Sequence, residues 1–278
     1  MKDGVTVQSI GFRKYLPVGR PEIAVEYLDR WGVDEIVLTH IDGTRRGEAL
    51  GADLVRSYAR RCQVPLTVGG GIAAVDDVTR IIQAGADKVV INTAAALNPA
   101  LVEEAARRFG AQCIVASIDA RRQPDGGYAA FTHGGTRPAP AGVRDLARRL
   151  ELAGAGEILI NSIDRDGSRE GYDLDLLRST VRAVSIPVIG CGGAGYPDHM
   201  RDAIRTGVGA VAAANMLHFV EHSVILIKRY LLDNGEGVRL DSYADYRGAR
   251  LDDDGRLAKR DDAALETLRF RYIPEEVI

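Results

Sequence analysis

From residue 20 onward two textures alternate along the chain. The first is a short aliphatic or β-branched run: DEIVLTH at 34–40, VPLTV at 64–68, DKVVIN at 87–92, QCIVASID at 112–119, EILINS at 157–162, IPVIG at 186–190 and GAVAAA at 209–214. Between these runs lie stretches with helical spacing and charged outer faces, at 52–62, 75–85, 99–110, 142–154, 174–184 and 223–235. The strand runs are apolar almost throughout, with little alternation, which is the mark of strands covered on both faces. Strand–helix units in strict succession predict a (βα) barrel ahead of an open doubly wound sheet.

An internal repeat sharpens the expectation. Glu35-Ile36 and Glu157-Ile158 lie 122 residues apart, as do Ile41-Asp42 and Ile163-Asp164, Pro65 and Pro187, and Gly70-Gly71 and Gly192-Gly193. At the same interval Thr93 corresponds to Asn215. Several features holding one spacing across two half-chains imply duplication, so the barrel is expected to be two fused half-barrels of four strand–helix units each.

Composition narrows the class. The 278 residues, 46% hydrophobic, suit one large globular domain with a sizeable core. Net charge is −3 and no long basic run occurs, so bulk electrostatics recruits neither nucleic acid nor an anionic membrane. The three cysteines, Cys62, Cys113 and Cys191, have spacings that fit neither a metal site nor a disulfide framework. Each sits in or beside an apolar run, as buried thiols of a reducing compartment do. No stretch approaches a membrane span, and the first residues lack a signal-peptide core. A cytoplasmic protein is expected, with no metal and no cofactor.

The two glycine pairs each follow a strand that starts at a proline: VPLTVGGGI and IPVIGCGGA. At the ends of barrel strands, glycines let backbone N–H groups approach an anion, and a following helix N-terminus adds partial positive charge. The next strand in each half ends in small or polar residues, INTAA at 91–95 and AAANM around 211–216. Two such sites would hold a substrate with a phosphate at each end. The bland alternative is a pair of ordinary strand-to-helix turns.

The ordered strings TVGGGI, GADKVVINTAA, SIDA, FTHGG, GAGEIL, SIDRDGS, GYD, IPVI and HF resemble the cyclase subunit of imidazole glycerol phosphate synthase, over roughly residues 2–235. The resemblance implies a (βα)8 barrel, here residues 1–236. It also implies a glutaminase partner at the barrel's bottom that supplies ammonia for a two-phosphate ribulosyl aminoimidazole-carboxamide nucleotide. It places a first phosphate site on Gly71, Asn92 and Thr93, with Gly70 the other glycine of that turn. The second falls on Asp166, Gly167, Gly193, Ala214 and Asn215, with Gly192 the other glycine of that turn, and one of two catalytic aspartates falls on Asp119. An acid and a base flanking a bound imine would help ammonia add and the leaving fragment depart. The competing structural role for Asp119 is a helix cap or an ion pair with Arg121.

Glu35, Lys88 and Glu157 fall at strand starts, hence at the opposite face, where charges are expected to pair into a ring, with Asp87 beside them at the expected partner interface. In the resembled family such a ring borders the ammonia entrance, and simple strand-start solvation is the alternative. Gly85-Ala86-Asp87 reads as an exposed loop beside it. His133 reads as a polar loop residue near the substrate and His218 as packing.

Three departures stand out. The family's opening strand, with a second catalytic aspartate, has no counterpart before Lys2-Asp3-Gly4, which leaves seven strand runs and the expectation of an apolar segment upstream. VTVQSIGF reads as a mobile loop over the active site, with Gln8 where the family carries a lysine. A segment at 237–278, ending RFRYIPEEVI, is expected to pack on the barrel as an extension. These departures resemble a paralogous group that works beside a glutaminase to install acetamidino groups on nucleotide-linked sugars of surface polysaccharides. A third alternative is a non-catalytic activator of the glutaminase.

Overall fold

A computed structural model describes residues 1–218, 223–240, 250–251 and 258. The chain opens with a two-stranded hairpin, β1 (Thr6–Ile10) and β2 (Lys14–Gly19), then α1 (Pro21–Arg30), β3 (Ile36–Thr39), α2 (Gly43–Arg46), α3 (Ala52–Ala59), β4 (Leu66–Gly69) and α4 (Val75–Gln83). It continues through β5 (Lys88–Ile91), α5 (Thr93–Leu97), α6 (Pro99–Phe109), β6 (Ile114–Arg122), β7 (Tyr128–Thr132), β8 (Arg137–Gly142) and α7 (Val143–Leu152). The last elements are β9 (Glu157–Ser162), α8 (Leu174–Val181), β10 (Val188–Cys191), α9 (Pro197–Ile204), β11 (Ala210–Ala212) and α10 (Ser223–Asp233).

Seven strands pair in parallel in the order β3-β4-β5-β6-β9-β10-β11. Each is one of the apolar runs, and the helices between them lie outside the curled sheet, as in a TIM-type (βα)8 barrel. Beside β3, Met1 continues the ladder: its amino group donates to Thr39 O at 2.6 Å, and Ile41 N donates to Met1 O at 2.9 Å. The duplication is visible in three dimensions. Helix α3 and strand β4 recur residue for residue, 122 positions later, as α8 and β10.

Strand β6 is longer than its neighbours because its distal half leaves the barrel and pairs antiparallel with β7, which pairs with β8. Pairing is in register at Asp119↔Phe131, so the catalytic candidate sits where barrel strand becomes hairpin.

Period-two packing divides the strands into two faces. One face, with Ile36, Leu38, Leu66, Val68, Val89, Ile91, Ile114, Ala116, Ile158 and Ile160, joins the helices in the large core. The other is the barrel interior, where Val90, Val115 and Leu159 cluster with Ile189, Cys191 and Ala212.

Two expectations are revised. VTVQSIGF is strand β1, paired with β2 from Thr6↔Gly19 to Ile10↔Lys14, because its alternation suits a two-stranded ribbon with one face on the protein. In the stretch Gly85-Ala86-Asp87, Ala86 is buried, and the Asp87 carboxylate accepts from Leu66 N at 2.8 Å. Gly85 and Asp87 are exposed as expected, and only Ala86 departs from that reading, because the turn into β5 is tied to the β4 backbone. Most of the expected C-terminal extension lies outside the described residues. Its beginning does not: Val238 packs against the core and Arg239 stands 3.5 Å from Asp34.

Candidate active site at the barrel mouth

Because parallel neighbours share a face at each register step, the interior side chains stack in tiers. Lys88, Val90 and Asn92 alternate inward along β5, and Val115, Ser117 and Asp119 along β6. Glu157, Leu159 and Asn161 do the same along β9. The floor is charged, the middle aliphatic and the mouth polar.

At the mouth Asp119 is buried, 8% exposed, and Asn92 Nδ2 donates to its Oδ2 at 3.2 Å and to Ser117 O at 3.1 Å. Desolvation pushes the Asp119 carboxyl up to about 7; the Asp166 charge adds to the rise and the Asn92 hydrogen bond opposes it. A carboxyl that titrates near neutrality can give or take a proton at working pH. The ion-pair alternative is not realised: the Arg121 guanidinium stacks on Phe131, 4.5 Å from the ring centroid, and faces Asp164 at 3.8 Å.

Both glycine pairs follow their strands at the mouth with positive φ: +98° and +77° at Gly70 and Gly71, +94° and +105° at Gly192 and Gly193. These dihedrals alone demand glycine. A Cβ on Gly71 would lie 2.0 Å from Glu48 O, and one on Gly193 would lie 2.1 Å from Gly171 O. The glycines thus let neighbouring loops close in against the turns.

Around the first turn the candidates form one network. Thr93 Oγ1 donates to Asn92 Oδ1 at 3.2 Å and accepts from His133 N at 3.0 Å. His133 itself has φ +53° in the β7–β8 turn, so the hairpin delivers it to the mouth.

Around the second turn, the β1–β2 hairpin lies over the candidates. Ser9 Oγ donates to Asp166 Oδ2 at 2.6 Å, Phe12 N to the same oxygen at 3.1 Å, and Gly11 N to Asp166 O at 2.9 Å. Asn215 Nδ2 donates to Ser9 O at 2.7 Å, and Gly167 leaves space that a Cβ would fill, 2.4 Å from the same oxygen. Asp166, Gly167 and Asn215 therefore converge on one hairpin residue, Ser9. Ala214 precedes Asn215 where the chain turns out of β11.

At the floor, Lys88 Nζ bonds Glu35 at 3.0 and 3.1 Å and Glu157 Oε1 at 2.8 Å. Burial lowers the Lys88 pKa, but the hydrogen bonds it donates to Glu157 and Glu35 outweigh it and the net shift is upward. Glu157 Oε2 is buried with no hydrogen-bond partner. Asp87 stands outside this ring, bonded to the β4 backbone instead.

Sequence reasoning missed two residues of the mouth. Ser9 carries no motif, and only the fold brings it to Asp166. Asn161 ends an otherwise aliphatic run, EILIN, in register with Asp119; a polar residue there was the available signal. Among the described residues no helix is long and apolar enough to cross a membrane.

A sequence model of a family described as "Histidine biosynthesis protein" matches residues 1–223. A Vibrio vulnificus (strain YJ016) protein named "Putative imidazole glycerol phosphate synthase subunit hisF2" is 43% identical over 256 residues, 92% of this chain and 94% of that one. With a buried, near-neutral carboxyl between paired glycine turns at the mouth of a duplicated barrel, the chain belongs to the histidine biosynthesis protein family.

Proposed function

We propose that the chain is the synthase subunit of an imidazole glycerol phosphate synthase, cyclising a two-phosphate ribulosyl aminoimidazole-carboxamide nucleotide with ammonia from a glutaminase partner. The observation that carries the reading is Asp119, buried between the two glycine turns with its carboxyl lifted to about 7. In this reading the turns at Gly70-Gly71 and Gly192-Gly193 seat the two phosphates, with Asn92, Thr93 and Asn215 as donors. Asp119 moves the proton as ammonia adds and the leaving fragment departs. The Lys88 ring faces the glutaminase, and the aliphatic middle tier of Val90, Val115 and Leu159 separates it from the mouth. The test supplies the nucleotide and an ammonium salt to the purified chain. Turnover that falls about 10²-fold or more in Asp119→Asn supports the reading, and wild-type protein with no turnover overturns it.

A second reading is a paralogous subunit that serves acetamidino modification of a nucleotide sugar, or activates the glutaminase without chemistry of its own. The observation favouring it is the engagement of Asp166: the carboxylate whose charge acts on Asp119 is bonded to Ser9 and Phe12. Complementation of a histidine auxotroph separates the two readings.

A further inference from the structure

Asn161 is the inward residue at the top of β9, paired in register with Asp119 on one side and with Cys191 on the other. Its Oδ1 is buried and has no hydrogen-bond partner. The same oxygen lies 2.9 Å from where a Cβ on Gly192 would stand, so it rests against the second glycine turn. Its surroundings explain why nothing answers it. Asn92 spends its amide on Asp119 and Ser117, Asn215 spends its amide on Ser9, and Cys191 offers only a weakly donating thiol.

A buried acceptor left unmatched lowers stability, and such groups in native proteins call for a specific account. An aliphatic residue would suit the end of this strand, whose other inward residue above the floor is Leu159. The amide therefore reduces stability where the fold has no use for it.

We propose that Asn161 is a specificity-determining residue of the substrate site. Its amide oxygen accepts a hydrogen bond from a hydroxyl or N–H of the substrate, on the stretch joining the reacting centre beside Asp119 to the phosphate at Gly192-Gly193. The proposal rests on the two-phosphate reading above and adds the contact between the two ends. A site built to match a polar group rejects a molecule lacking it, since its own acceptor is then left unpaired.

The test compares wild type with Asn161→Thr, Asn161→Val and Asn161→Ala in the full chain. Thr and Val differ by one hydroxyl, and Ala guards against crowding. Calorimetric titration with the ribulosyl nucleotide is expected to show affinity at least tenfold weaker in Val and Ala, partly restored in Thr, while inorganic phosphate binds all four alike. The ligand-free melting temperature is expected to rise in Val or Ala. Nucleotide affinity within twofold of wild type in both apolar variants overturns the proposal, since Asn161 would then hold only a water. If wild type itself does not bind the nucleotide, the proposed function fails and the melt decides Asn161: a rise supports an amide reserved for another polar ligand, and no rise overturns it.

Discussion

The Asn92 amide reaches from β5 to β6 and donates to Asp119 Oδ2 at 3.2 Å, inside a mouth where the carboxyl is buried. One neutral donor does not offset the desolvation, so Asp119 titrates near 7 instead of the usual value near 3.8. The folded protein then keeps a proton that the unfolded chain gives up, and stability drops as pH rises between the two values. Asp119→Asn, which cannot ionise, is expected to gain stability over wild type at pH 8 and to gain less at pH 5. Urea unfolding at both pH values checks this; an equal difference at each would mean that Asp119 ionises as easily folded as unfolded.

The hairpin is held to the mouth chiefly through Ser9 and Asp166, a short bond to a carboxylate. Bonds to charged groups contribute about 1.5–3 kcal/mol. Ser9→Ala is therefore expected to speed amide exchange across residues 6–19 by about tenfold or more while leaving β3–β6 protected. Exchange measured by mass spectrometry decides it, and unaltered hairpin protection would show that Phe12 and Gly11 suffice.

Lys88 answers two carboxylates at once, with 15% of its side chain exposed against 40% for Glu35 and 21% for Glu157. Lys88→Met leaves both acids unpaired and is expected to destabilise by roughly 1–3 kcal/mol, less than for a fully buried pair because water reaches Glu35. Pairing it with Glu157→Gln in a double-mutant cycle should recover part of the loss. Additive effects would mean that the ring contributes nothing beyond its separate charges.

Replacing Gly71 tests backbone before it tests phosphate binding. With φ at +77° and Glu48 O in the way, Gly71→Ala is expected to lose about 1–3 kcal/mol in thermal or urea unfolding. Gly51→Ala, where nothing lies within 4 Å and φ is not positive, is the control and should be close to neutral. Similar losses in both would remove the steric account.

All seven parallel strands were legible because each is an aliphatic run long enough to stand apart from its neighbours. The 122-residue interval located both glycine turns and the Glu35 and Glu157 strand starts. The hairpins were not legible. Thr6–Ile10 mixes polar and apolar residues, and its partner Lys14–Gly19 contains Pro17, so neither carries a strong strand pattern. Helix α1 was also missed, since Arg20-Pro21 at its start reads as a turn as readily as a helix opening. In the site, Asn92, Thr93 and Asp119 were found through motif strings and meet in space, whereas Asp166 and Asn215 meet through Ser9, across more than 150 residues of sequence.

The tiered interior has a consequence for transport. Between the Lys88 ring and Asp119 the barrel axis is lined by Val90, Val115, Leu159 and Ile189, none of which can solvate an ion. A solute that crossed that layer would have to travel without net charge, and would be selected by protonation state rather than by size alone. A weak base would cross only as its free base, and its flux at fixed total concentration would fall about tenfold for each pH unit below its pKa.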